Sequence, residues 1–101
     1  MALDIIFEED DKLVVKLKGD LDIYSSTNFS DKLLEKYNEN KKDVIVDLTD
    51  LDYIDSTGLG AFISLYKNIE KENDFKIINP KKSVKKIFVI TELDKIFKLE
   101  D

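Results

Sequence analysis

Val44-Ile45-Val46-Asp47-Leu48-Thr49-Asp50-Leu51-Asp52-Tyr53-Ile54-Asp55-Ser56-Thr57-Gly58-Leu59-Gly60 is the stretch whose reading decides the fold. It opens on a short β-branched run, Val44 to Leu48, that is apolar on both faces. Such a run suits a central strand covered on at least one side by helices. Thr49 to Ile54 reads as a loop. A strongly amphipathic helix follows, with Leu59, Phe62, Ile63, Tyr66 and Ile69 on its inner face. Glu70 to Asp74 closes it. A buried strand leading through a loop into a helix is the building unit of α/β proteins.

Upstream, Leu3, Ile5 and Phe7 alternate, and so do Leu13, Val15 and Leu17. The acidic turn Glu8-Glu9-Asp10-Asp11 separates the two runs, so they predict an N-terminal antiparallel hairpin. Gly19 ends the second run, and Gly19-Asp20-Leu21-Asp22 reads as a loop. Ser25, Ser26 and Thr27 are N-cap residue types. The helix after them places Phe29, Leu33, Leu34 and Tyr37 on one face. Downstream, Phe75 to Ile78 predicts a strand stopped by Asn79-Pro80. Ser83 can cap a third helix carrying Val84, Ile87 and Phe88. Ile96 to Leu99 predicts a last strand. The order ββαβαβαβ implies a mixed sheet with parallel crossovers and helices packed on it. Partners of such sheets sit at the carboxyl ends of the parallel strands. The loops at Asp20 to Tyr24 and Asp52 to Gly60 both follow strands.

Bulk composition removes several function classes. One domain, residues 1–101, accounts for the chain. At 43% hydrophobic and 38% charged residues it has the composition of a globular protein. The net charge is −6 and every basic residue is a lysine. Such a chain repels nucleic-acid phosphates and anionic membranes. It has no cysteine and no histidine, which excludes disulfides and zinc–thiolate sites and removes the commonest general base. Its longest strongly apolar run, Ile87 to Ile90, is too short to span a bilayer, and the N-terminus lacks the pattern of a signal peptide. A cytoplasmic, monomeric protein without metal or cofactor is expected.

The chemistry concentrates in Asp55-Ser56-Thr57-Gly58-Leu59-Gly60. Ser56 or Thr57 falls at a helix N-terminus, where backbone N–H groups and the helix dipole favour a phosphate. Gly58 and Gly60 leave the first turn open to close approach. Locally, though, Asp, Ser and Thr are simply good N-caps, and the cap reading leads on these residues alone. The lysine of a phosphate-binding loop is missing, and Ser56 has no histidine base. Asp20 and Asp22 read best as solvated turn residues. Lys81, Lys82, Lys85 and Lys86 read as a solvated helix face.

Three blocks together resemble the anti-sigma factor antagonists, bacterial proteins built on the STAS domain. They are Gly19-Asp20-Leu21-Asp22, Val44 to Leu48 with Tyr53 to Gly60, and Leu93-Asp94-Lys95-Ile96-Phe97. The resemblance spans about Leu3 to Leu99 and implies a STAS-like single α/β domain. It implies that Ser56 is a phosphorylation site and that the chain is not an enzyme. The implied partners are an anti-sigma factor serine kinase, to which the unphosphorylated form binds so that a sigma factor is freed, and a serine phosphatase. By the same resemblance the partner-binding surface comprises Asp20, Asp22, Asp55, Ser56, Thr57, Gly58, Leu59 and Gly60. The alternative within the family is a protein-binding subunit of a stress-signalling or lipid-transport complex. Members of the family usually continue into a further helix, whereas this chain stops just after its last predicted strand.

Overall fold

The computed structural model describes residues 2–101. Strand β1 (Leu3–Glu9) pairs antiparallel with β2 (Leu13–Leu21). Helix α1 (Ser26–Glu39) leads to β3 (Val44–Ile54), and α2 (Ser56–Ile69) leads to β4 (Phe75–Ile78). Helix α3 (Lys82–Ile90), a single 3-10 turn (Leu93–Lys95) and β5 (Lys98–Glu100) complete the chain. The five-stranded sheet runs β1-β2-β3-β4-β5, and every pair from β2 onward is parallel. The expected mixed sheet, N-terminal hairpin and element order are all present.

Spatial order equals sequence order along the parallel strands. Right-handed crossovers that always step the same way set their helices on one face. Burial agrees. Leu13, Val15 and Leu17 of β2, Val44, Val46 and Leu48 of β3, and Phe75 and Ile77 of β4 are buried. They share one cluster with Phe29 and Leu33 of α1, Phe62 and Leu65 of α2, and Val84 and Phe88 of α3. The alternate residues Val14, Lys16, Ile45, Asp47, Lys76 and Ile78 are only partly covered. Phe62 is the hub of the core, with edge-on contacts to Phe29, Phe75, Phe88 and Phe97 at centroid distances of 5.5–6.4 Å.

Several expectations are corrected. Thr49 to Ile54 is not a loop but the second half of β3. Its inner face is spaced by three residues (Leu48, Leu51, Ile54), which hid it from a two-residue period. Gly19 to Leu21 is likewise strand, with register shifts between Lys16 and Lys18 and between Gly19 and Asp20. Gly19 takes φ +111°, and a Cβ there would lie 2.2 Å from the Ala2 carbonyl oxygen. It marks a bulge rather than a strand end. In α2 the fully packed residues include Gly58, Ala61 and Leu65, while Ile63 and Tyr66 are half-buried. Ser83 lies inside α3, whose N-cap position belongs to Lys81. The last strand starts at Lys98, because Phe97 turns into the core.

Candidate functional site

Two neighbouring strands end side by side at one edge of the sheet. Tyr53 and Ile54 of β3 pair with Asp20 and Leu21 of β2. Each chain then turns into a helix, so α1 and α2 both start at this edge. The Asp55 N–H donates to the Leu21 carbonyl at 3.2 Å and ties the two turns together. Gly58 lets α2 come this close. A Cβ at Gly58 would sit 2.8 Å from both the Leu21 carbonyl oxygen and Ile54 Cγ1.

Asp55 is the N-cap of α2. Its carboxylate Oδ1 accepts from the backbone N–H of Thr57 at 3.0 Å and of Gly58 at 3.1 Å. It also accepts from the Thr57 hydroxyl at 2.5 Å. That hydroxyl bond, more than the two backbone N–H groups, holds the Asp55 carboxyl below the ordinary aspartate range, and the Ile23 backbone N–H acts in the same direction. Thr57 Oγ1 lies a further 3.3 Å from Ser26 Oγ across the α1–α2 junction. Ser56, the first residue of α2, differs from its neighbour. Its side chain is exposed, and its hydroxyl makes no hydrogen bond among the described residues.

The facing turn is tied down by Asp22. Its carboxylate accepts from the Tyr24 N–H at 2.9 Å, and its carbonyl accepts from the Ser26 N–H at 2.9 Å and the Ser26 hydroxyl at 2.6 Å. The Ser25 hydroxyl receives the Asp22 N–H at 3.0 Å and donates to the Asp20 carbonyl at 2.9 Å. Ser25 thus stands at the N-cap position of α1, but its hydroxyl braces the turn instead of capping the helix. A shallow cleft of about 310 Å³ opens between α1 and α2, lined by Ile23, Ser26, Thr27, Ser30, Asp31, Thr57 and Ala61.

A family model for the STAS domain matches residues 4–101. The chain belongs to the STAS domain family. This STAS domain is 33% identical over 85 residues to the anti-sigma-B factor antagonist of Staphylococcus epidermidis, spanning 83% of this chain and 79% of that one. It has the fold of a putative anti-sigma factor antagonist from Thermotoga maritima, with TM-score 0.89, 24% identity and coverage of 96% and 86% of the two chains. It also has the fold of the Bacillus cell fate determinant SpoIIAA in its phosphorylated form, with TM-score 0.73, 19% identity and coverage of 99% and 91%.

Of the residues singled out by sequence, this STAS domain brings Asp22, Asp55, Ser56 and Thr57 together around one junction. Asp20, expected as a solvated turn residue, instead lies in β2 and is only 8% exposed, because the strand continues through Leu21. Gly58 and Leu59 are buried in the packing of α2, and Gly60 is exposed with nothing near it that a Cβ would touch. Sequence reasoning passed over Ile23 and Tyr24. They are 66% and 87% exposed, on the turn beside Asp55. The available signal was two large apolar residues standing between Asp22 and a run of hydroxyls, where no strand or helix period needs them. Among the described residues no group of acidic side chains is arranged to hold a metal, and no helix is long and apolar enough to cross a membrane.

Proposed function

We propose that this STAS domain is an anti-sigma factor antagonist switched by phosphorylation of Ser56. In its unphosphorylated form it binds a kinase-type anti-sigma factor and thereby frees a sigma factor. The kinase transfers phosphate to Ser56 and ends the binding, and a serine phosphatase restores it. The observation that carries this reading is the contrast between adjacent hydroxyls: that of Ser56 is exposed and unengaged, and that of Thr57 is bound to Asp55. The name of the Staphylococcus epidermidis relative supports the regulatory role, and the phosphorylated SpoIIAA of the same fold supports the switch.

In the transfer, Ser56 Oγ attacks the γ-phosphorus of ATP, the bond to the β-phosphate oxygen breaks, and ADP leaves. The hydroxyl proton goes to a base on the kinase. Asp55 is a poor acceptor, because the hydrogen bonds that lower its pKa also stabilise its charged form. The product carries roughly −1.5 to −2 charge at the start of α2, where the helix dipole tolerates it. That charge adds to Asp55 and Asp22 and faces the phosphates of the kinase nucleotide. Like-charge repulsion with desolvation releases the partner without refolding the domain.

The test is incubation of the purified chain with its anti-sigma kinase and ATP, read by intact mass and peptide mapping. One phosphate is expected on Ser56, with none on Ser56→Ala and undiminished incorporation on Thr57→Val. Phosphate on Ser56→Ala at the wild-type level would reject the site. Unchanged kinase affinity for Ser56→Asp would reject the charge mechanism.

A further inference from the structure

The turn beside Ser56 presents apolar side chains on a hydrogen-bonded backbone. Tyr24 is 87% exposed and Ile23 is 66% exposed, yet their backbone is not loose. The Asp22 carboxylate holds the Tyr24 N–H, and Asp22 itself is bound through Ser25 and Ser26. The Ser25 N–H donates to the Asp22 carbonyl at 3.1 Å and closes the turn around Ile23 and Tyr24. Two large apolar side chains left in water on this turn forgo the free energy that burial within the domain would give. An exposed aromatic on a backbone that is already hydrogen-bonded suits an interface anchor, because little backbone freedom remains to be lost on binding.

We propose that Ile23 and Tyr24 are the anchor by which this domain grips the kinase that acts on Ser56. The proposal rests on the function given above and extends it from the modified atom to the source of affinity. Ile23 and Thr57 line the same cleft, and Thr57 adjoins Ser56. A protein that docks over Ser56 and the adjoining cleft meets Ile23.

The chemistry of the complementary surface follows from the rim. Asp31 lines the cleft with Ile23, the Asp22 carboxylate holds the Tyr24 N–H, the Asp55 carboxylate holds the Thr57 N–H, and no lysine lines the cleft. Asp31 makes no ion pair among the described residues. The kinase surface is accordingly an apolar socket for Tyr24 flanked by lysine or arginine. The same carboxylates disfavour a free nucleotide as the occupant, although two helix N-termini converge here. The parallel strands also stand in sequence order, so the sheet has no switch-point crevice of the kind that encloses a nucleotide.

The experiment uses the full chain and the kinase that phosphorylates wild-type Ser56. Calorimetric titration gives affinity, and steady-state phosphorylation separates KM from kcat. Tyr24→Ala is expected to weaken binding about 30-fold, as a hot-spot truncation does. It should raise KM with kcat retained, because Ser56 and its turn are untouched. Ile23→Ser should weaken binding about 10-fold, and Asp31→Asn about 3-fold with a shallower salt dependence. Ile90→Ser, at an equally exposed apolar position (67%) ending α3, should bind as wild type. Wild-type affinity in Tyr24→Ala and Ile23→Ser, with Ser56 still phosphorylated, overturns the anchor and leaves the phosphorylation switch standing. Absence of phosphate on wild-type Ser56 removes both. Saturable binding of ATP to the chain alone, lost in Tyr24→Ala, assigns the surface to a nucleotide and overturns the kinase anchor.

Discussion

The two ends of the parallel sheet use the same residue types in opposite ways. At the end where β3 begins, Tyr37 is 2% exposed, and its hydroxyl donates to the Asn73 side-chain oxygen at 2.7 Å. The Asn73 amide donates onward to Asp43 at 3.2 Å, and Asp43 also accepts the Asp74 N–H at 3.0 Å. Those two bonds, backbone first, hold the Asp43 carboxyl below its ordinary range. At the opposite end Tyr24 stands in solvent and Ser56 carries a free hydroxyl, while Asp55 serves a cap much as Asp43 serves a turn. Aspartates brace both ends. Among the described residues, Tyr24 and Ser56 have hydroxyls without an internal hydrogen-bond partner, and both stand at this second end.

The largest effect should separate the two tyrosines. Tyr37→Ala is expected to destabilise the fold by about 3–5 kcal/mol in denaturant melts, as truncation of a buried aromatic does. Tyr24→Ala should change stability by no more than about 0.5 kcal/mol. Comparable losses for both would erase the distinction between a bracing end and a presenting end.

The two glycines of α2 give the next contrast. Gly58→Ala forces a methyl against Leu21 and Ile54 and should cost about 1–3 kcal/mol. Gly60→Ala meets nothing and should raise stability by about 0.5–1 kcal/mol through helix propensity. A neutral Gly58→Ala would mean that the β2–β3 edge yields readily beneath α2.

Removal of the cap is expected to cost less. Asp55→Ala should lower stability by about 1 kcal/mol, and Asp55→Asn by much less, since asparagine caps as well. Hydrogen exchange of the Thr57 and Gly58 amides would localise the loss to the first turn of α2.

The smallest effect is a pH dependence. Asp43 and Asp55 both have lowered pKa values in the folded state. Their contributions are fully present above the unfolded aspartate pKa of about 3.9 and are lost as pH falls through the folded values. The stability gap between wild type and Asp55→Ala should therefore narrow below about pH 4. A gap that widens on acidification would reverse the sign assigned to Asp55.

Much of the fold was legible because its apolar spacing is regular. Leu13, Val15 and Leu17 alternate, and Phe29, Leu33 and Tyr37 recur at helical intervals. Legibility failed where the backbone departs from period. Leu48, Leu51 and Ile54 disguised half of β3, and Gly19 looked like a terminus although it is a bulge. At the site, the hydroxyl and glycine motif could be read as a cap or as a phosphoacceptor turn, and chemistry alone favoured the cap. Both readings share one geometry, because Asp55 performs the capping and leaves Ser56 unoccupied.

By itself the sequence determined the α/β alternation, the hairpin, the candidate hydroxyls and the absence of histidine and cysteine chemistry. These follow from local period and composition. Tertiary structure alone decided which hydroxyl is free, since Thr57 is claimed by Asp55 and stands beside Ser26, 31 positions away. It also decided that Asp20 and Leu59 turn inward and that Ile23 and Tyr24 turn outward. Exposure depends on what two distant strand ends and two helix starts leave uncovered when they meet, and no window of sequence contains that meeting.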